Sequence, residues 1–448
     1  LTFLGIGAII GTGIFVLTGE GALTSGPALS ISFLIAAICC GFAGLCYAEF
    51  ASMAPVAGSA YTYSYIAFGE IIAFIIGWDL ILEYALSAAT VAVGWSGYFV
   101  NLLDNLGIHI PRVLTAAAGT TPHVTTYFNL PAFLMVLIIT WIISMGITQT
   151  KRVNDTMVII KLAVIILFIV CTIWFIHPEN WHPFSPYGLY SHHHGAATGI
   201  IPGASIVFFS FIGFDSVSSS AEETINPSKT LPRGILLSLV ISTILYVVMT
   251  MTMTGVVKYP VFRRFINAPV LAVLAKTGQT WLSIVVSIGA ILGMTTVVLV
   301  QLYGQSRISY SMARDGLFPK FFGEVNQKHQ TPFKGTWFFG IIAALGAGLI
   351  NLNILSELVN VGTLTAFILV SAGVLIMRHT QPDLHRGFRA PGVPFTPLIS
   401  IAFCLTLVAG LNRETWIRFF VWLLLGMALY FGYSRRHSKL NQTHRRNK

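Results

Sequence analysis

Apolar residues in this chain come in long unbroken runs, not in the alternation of a half-buried strand or the stripes of a soluble amphipathic helix. Runs of about 18–25 apolar residues match the helix length needed to cross the hydrocarbon core of a bilayer. They recur at residues 1–23, 27–53, 69–100, 131–149, 154–176, 196–221, 232–257, 281–312, 334–350, 354–377, 394–411 and 414–433. The pattern predicts an all-α membrane protein of twelve transmembrane helices. The third and eighth runs are long enough to tilt or to project beyond the bilayer. Between the second and third, residues 48–70 are aromatic, glycine-containing and nearly uncharged, which suits a short interfacial helix, a re-entrant stretch or a simple aromatic belt.

Two runs are interrupted. The first carries GIGAIIGTGIFV at 5–16, with Gly5, Gly7, Gly11 and Gly13 close together. Each glycine costs about 1 kcal/mol relative to alanine inside a helix, so the Gly11-Thr12-Gly13 triplet predicts a break in mid-membrane. Irregular backbone survives there only where protein or a water-filled site satisfies it. Packing of small residues in the GxxxG manner is the alternative reading of the same glycines. The sixth run is interrupted by FFSFIGFDSVSS at 208–219. Paired interrupted helices at corresponding places in two halves point to a binding site built from inverted repeats. The expected repeats cover about 1–176 and 196–377, with two appended helices at 394–433, all in one transmembrane domain of residues 1–433. A short basic tail at 434–448 follows. Leu1 is not an initiator methionine, so a further N-terminal tail is expected.

Composition strengthens the membrane reading. Of 448 residues 55% are hydrophobic and 9% charged, and the mean hydropathy is +0.77; soluble domains carry about 25% charged residues. The formal charge of +10 fits the positive-inside rule better than nucleic-acid binding. Lys151, Arg152, Lys229, Arg233, Arg307, Arg314, Arg378, Arg386 and the basic tail fall on one side and predict that both termini are cytoplasmic. Residues 258–280 carry four basic residues on the other side and are expected to form a structured external segment. All five cysteines (Cys39, Cys40, Cys46, Cys171, Cys404) fall in apolar runs and imply neither disulfides nor a zinc site.

The chemistry follows from the breaks. A half-helix starting at Thr12 and Gly13 would aim free N–H groups and a positive dipole end into the membrane interior, which suits a carboxylate. Unwinding at Gly213 would leave acceptor carbonyls between Phe209, Phe211 and Ile212, which suit an ammonium group. Together they describe a receiver for an α-amino acid. Asp215 is expected to cap the second half-helix. Lys161, in MVIIKLAVIILF at 157–168, either snorkels to the cytoplasmic surface or tucks against segments one and eight as a proton carrier. Asp79 and Glu83 share a face of segment three at i, i+4, and Glu83 is a second proton-coupling candidate. Thr295 and Thr296 of segment eight are candidate partners of Lys161, and Gln301 is a candidate for the side-chain end of the pocket.

Other chemistries fit poorly. GIGAIIGTG lacks the flanking strand of a dinucleotide fingerprint. The HHHG stretch at 192–195 has no partner cluster at metal-ligand spacing. No cofactor or metal is implied. Acids, serines and histidines are too scattered for a hydrolytic centre, which sets a membrane-embedded enzyme far behind a transporter.

At these residues the chain resembles the amino acid–polyamine–organocation superfamily, and most closely bacterial members of the cationic amino acid transporter family. The resemblance runs over the full length and rests on GIGAIIGTGIFV (5–16), GPALSISFLIA (26–36), YAEFASMAPVAGSAYTYSY (47–65), GEIIAFIIGWDLILEY (69–84), FIGFDSVSSSAEETINPSKTLPRGI (211–235) and SRISYSMARDGLFP (306–319). It implies the leucine-transporter-type fold, a 5+5 inverted repeat with helices 1 and 6 broken. It also implies proton-driven uptake of L-amino acids through the cytoplasmic membrane. In that family the carboxylate contacts fall at the positions of Gly11, Thr12 and Gly13, and the amino-group contacts around Phe209, Phe211 and Ile212. Lys161 aligns where sodium-coupled relatives of the fold bind Na⁺. A glutamine at 301, where the animal cationic transporters carry a small residue, favours small to medium neutral amino acids over cationic ones. Cationic uptake and amino acid exchange remain alternatives. The expected partners are the substrate, protons and the lipid bilayer, without nucleic acid; a small membrane partner subunit is left open.

Overall fold

The computed structural model describes residues 1–53, 61, 64–65, 68–120, 125–146, 151–193, 196–219, 226–326, 331–384 and 386–439. Helix dominates. Segment one is α1 (Thr2–Ile9), an irregular link, a π-helical turn (Gly13–Leu17) and α2 (Thr18–Ser25). Next come α3 (Leu29–Met53), α4 (Glu70–Asn105), α5 (Leu130–Ser144) and α6 (Lys151–Thr172). Segment six is α7 (Ile200–Val207), a 3₁₀ turn (Phe208–Phe211) and α8 (Phe214–Ser219). The chain continues through α9 (Pro227–Val256), α10 (Pro269–Thr277), α11 (Thr280–Arg314), α12 (Phe333–Leu349), α13 (Leu352–Thr380), α14 (Phe395–Ala409) and α15 (Arg413–Leu429).

Seven described stretches are long and apolar enough to cross a membrane, and four shorter apolar helices lie among them. The shorter ones include residues 200–211, where the interruption of segment six cuts its apolar helix short. Most of the expected interfacial stretch at 48–70 lies outside the described residues, as do His194 and Gly195 of HHHG and residues 440–448 of the tail. The segment expected to be structured at 258–280 holds a 3₁₀ helix (Tyr259–Phe265) and α10. A small hairpin, Ser191–His193 with Ala196–Thr198, was not expected from the sequence.

The two long helices α4 and α11 lie against each other through the core, α9 packs along α3, and α13 lies on α4. The peripheral α15 exposes Ile417, Phe420, Leu424 and Leu425, an apolar face suited to lipid. Helix starts follow local chemistry: Asn129 and Asn351 accept from the N–H groups of Ala132 and Ile354, each at 3.2 Å, as N-cap residues do. One ion-pair network ties α3 to the end of α13. The buried Glu49 accepts from Arg378 at 3.0 and 2.8 Å and from the Ala390 N–H at 2.7 Å, with Arg386 at 3.4 Å. This places both basic groups on a carboxylate that would be costly to bury alone.

Candidate functional site

The two breaks meet. In segment one, α1 ends at Ile9 and Ile10 turns extended (φ −77°, ψ 103°) before the π-helical turn begins at Gly13. In segment six the 3₁₀ turn ends at Phe211, Ile212 is extended (ψ 135°) and Gly213 takes φ +118°, a conformation that side-chain-bearing residues avoid. A Cβ on Gly13 would lie 2.5 Å from the Ser210 Cα, and one on Gly213 would lie 2.9 Å from the carbonyl carbon and oxygen of Ala8. Each break is therefore a backbone-to-backbone contact with the other helix, which only glycine permits. Gly5 and Gly7 do different work: they let Ser238 of α9 and Val158 of α6 approach α1.

The first break exposes donors. Among the described residues none accepts from the N–H groups of Gly11, Thr12 or Gly13. These are the orphan donors of a helix start. Thr12 Oγ1 is buried without a hydrogen-bond partner, and so is Ser210 Oγ on the facing strand of chain. Two unsatisfied hydroxyls at the junction are what a polar ligand would complete, since buried polar groups are otherwise paired. Tyr98 donates to the Phe15 carbonyl at 2.6 Å and so holds the π-helical turn.

The carbonyl side of the first break is occupied by Lys161. Its Nζ donates to Gly7 O at 2.8 Å and Ile10 O at 3.1 Å, and the side chain is fully buried. The ammonium thus sits on the last carbonyls of α1, where the negative end of the helix dipole favours a cation; it does not snorkel. Its stem runs against Gly293 of α11, where an added Cβ would be 3.0 Å from the Lys161 Cγ. Gly293, Val297 and Gln301 are spaced by four and share one face of α11. Val297 Cγ2 lies 3.0 Å from where a Gly11 Cβ would be, so the same face carries Lys161, the first break and the buried Gln301 in sequence.

The threonines expected beside Lys161 point elsewhere. Thr295 donates to Ile291 O at 2.7 Å and accepts from the Trp95 indole at 3.0 Å, while Thr296 donates to Gly293 O at 2.8 Å. Helix carbonyls outcompete the lysine for these hydroxyls, and neither is among its hydrogen-bond partners. Glycine at 293, not a threonine, is what α11 offers to Lys161.

In segment six, Phe209 and Ile212 are almost fully buried at the junction, while the Phe211 ring turns away to pack edge-on against Phe33 and Tyr246. Only the backbone of Phe211 is thus left to face the break. Asp215 accepts from the Gly213 N–H and the Tyr84 hydroxyl, each at 3.2 Å. Glu83 is buried beside Asp215 and Asp79, with Thr363 of α13 next to it.

Two residues of this site were missed in the sequence reading. Tyr246 on α9 places its hydroxyl 3.0 Å from Ile9 O and 2.7 Å from Ser210 O, touching both breaks at once. Ser210 supplies the second orphan hydroxyl. A tyrosine within an apolar run gives no signal of this kind, but a lone serine among phenylalanines at a break does.

A family profile described as Amino acid permease matches residues 1–430. The chain belongs to the amino acid permease family. It is similar to the branched-chain amino acid permease BcaP of Bacillus subtilis, 54% identical over 99% of this chain and 93% of that protein. It is also similar to the methylthioribose transporter of the same organism, at 45% identity over 99% and 94%. A vacuolar cationic amino acid transporter 4 of Arabidopsis thaliana is 36% identical over 86% of this chain and 63% of that protein. This permease is a multi-pass membrane protein, with seven described helices long and apolar enough to cross a membrane.

Proposed function

We propose that this permease imports neutral L-amino acids of small to medium size, branched-chain ones above all, across the cytoplasmic membrane by proton symport. The observation that carries the reading is the junction of the two breaks, with free N–H groups at 11–13, orphan hydroxyls on Thr12 and Ser210 and the segment-six carbonyls of Phe211 and Ile212 as acceptors. Those of Phe209 and Ser210 are taken by the Ile212 N–H and the Tyr246 hydroxyl. The substrate carboxylate sits on the N–H groups of Gly11, Thr12 and Gly13. Its ammonium sits on carbonyls of segment six, and its side chain runs toward Phe209, Ile212, Val297 and Gln301. Those four residues are apolar apart from one amide, and none of them offers a carboxylate to a cationic side chain. The name of the 54% identical relative agrees with an aliphatic substrate.

Lys161 is the coupling residue. Protonated, its ammonium holds the end of α1 through two carbonyls; deprotonated, it lacks the charge that attracts them, and α1 is released. Glu83 is the second proton-accepting candidate. The chain crosses the membrane twelve times as two inverted five-helix repeats with two helices appended, both termini being cytoplasmic. Transport is a rocking of one helix set about the fixed junction.

Uptake of labelled L-leucine into proteoliposomes with an inward proton gradient tests this. Gradient-driven accumulation, competed by isoleucine and valine but not by lysine, is the expected result. A second reading comes from the 45% identical relative: a thio-sugar substrate, for which the orphan hydroxyls and Gln301 would serve as partners. Methylthioribose that is accumulated while leucine is not would establish that reading instead.

A further inference from the structure

At the far end of segment one from the N-terminus, α2 and α13 are joined by a carboxylate whose second oxygen has no hydrogen-bond partner among the described residues. Glu20 Oε1 accepts from Asn353 Nδ2 at 2.6 Å, while Glu20 Oε2 is sealed from solvent without a hydrogen bond. One turn along α13 from Asn353 stands Glu357, the charged residue that faces Glu20. Both oxygens of Glu357 are satisfied, by Asn412 Nδ2 at 2.5 Å and by the Thr415 hydroxyl. The two carboxylates differ in kind. Glu357 has a donor on each oxygen, and these hydrogen bonds and the nearby Arg418 favour its ionised form against the cost of its burial. Glu20 has one donor and one bare, dehydrated oxygen.

Other charges do not relieve it. On the 3₁₀ helix packed against α2, Arg263 and Arg264 are exposed, as are Lys258 before it and Lys276 on α10. Arg418 is paired with Glu414 at 2.7 Å. A cavity of about 320 Å³ lined by Tyr190, His192, Asn412, Arg413 and Trp416 brings open space to Asn412, the donor of Glu357.

We propose that Glu20 is a proton-binding site of the outer mouth. With Glu20 protonated on Oε2, α2 stays bonded to α13 through Asn353 and the mouth is closed. Loss of that proton to water leaves a dehydrated carboxylate facing the fixed charge of Glu357. Like-charge repulsion and the need to hydrate the bare oxygen then part α2 from α13 and open the mouth. The word outer rests on the transport reading above; the movement itself does not.

The test is a distance measurement that needs no transport. Spin labels go on Val261→Cys, exposed on the 3₁₀ helix against α2, and on Leu349→Cys, exposed at the end of α12. The full chain is used with its five native cysteines replaced by alanine. Between about pH 5 and pH 9, spanning the range in which carboxylates titrate when buried, the longer-distance population should grow as pH rises. Glu20→Gln, which mimics the protonated acid, should hold the short distance throughout. Glu357→Gln, which removes the facing charge, should move the transition to lower pH and shrink the longer-distance population, because Glu20 then gives up its proton more readily and is repelled less. Distances that ignore pH, or an unaltered pH response in both variants, overturn the proposal. Failure of leucine uptake with the pH response intact would instead overturn the transport reading.

Discussion

The two broken helices solve the same problem in different ways. The break in segment six is closed mainly by its own chain: Gly213 supplies the left-handed turn and Asp215, two residues on, accepts from its N–H, with the hydroxyls of Tyr84 and Tyr246 adding support from other helices. The break in segment one is held by residues from elsewhere. Lys161 of α6 takes the carbonyls, Tyr98 of α4 holds the π-helical turn, and the N–H groups at 11–13 are left for a ligand. A break stabilised locally is a fixed wall. One tethered by a titratable side chain from another helix can be released, and so the proposed mechanism puts the moving, proton-sensitive part in segment one. Among the described residues, Tyr246 hydrogen-bonds to the backbone of both breaks and so ties one to the other.

The largest effects should come from closing the gap between the breaks. Gly13→Ala would force a Cβ to within 2.5 Å of the Ser210 backbone, and Gly213→Ala would add left-handed strain to a 2.9 Å approach to Ala8. Strain of that kind costs roughly 1–3 kcal/mol before the clash is counted. Both variants should lose uptake and show a lower unfolding midpoint, Gly13→Ala retaining the helix content of the parent by circular dichroism.

Lys161→Met should abolish gradient-driven accumulation while exchange of internal for external amino acid persists. It leaves Gly7 O and Ile10 O without their donor, so the unfolding midpoint should fall as well. Full accumulation by this variant would remove the tether from the mechanism. Tyr246→Phe keeps the ring contacts with Phe33 and Phe211 and deletes only the hydroxyl. A lost buried hydrogen bond costs about 1–3 kcal/mol, and 1.4 kcal/mol is a tenfold change in affinity; KM should rise roughly tenfold with kcat little changed. The smallest effect should be Asp215→Asn, whose amide can still accept from Gly213 N–H. A few-fold loss of uptake is expected, against the near-complete loss at Lys161.

The breaks themselves were legible because glycine is expensive in a helix and the Gly11-Thr12-Gly13 triplet is more helix-breaking than small-residue packing needs. Gly11–Gly13 and Gly213 fell where the chain does break. Lys161 was legible as a charge inside an apolar run, although its depth along the helix argued equally for snorkelling. The carbonyls released by α1 give it a better partner than the membrane surface does. Thr295 and Thr296 misled because hydroxyls near a lysine in projection are still free to bond back to their own helix. Tyr246 could not be read at all. Its role comes from the crossing of α9 with two other helices, and nothing along its own run marks it.

The junction as an amino acid receiver is most directly tested by stripping the ligand of one group at a time. Thermal stabilisation of the purified permease would be compared for L-leucine, for isopentylamine without the carboxylate and for 4-methylpentanoate without the ammonium. Stabilisation by leucine, with either fragment at least about tenfold weaker in apparent affinity, is the expected result. Equal stabilisation by isopentylamine would mean that the N–H groups of Gly11, Thr12 and Gly13 bind no carboxylate, and the account of the junction would be wrong.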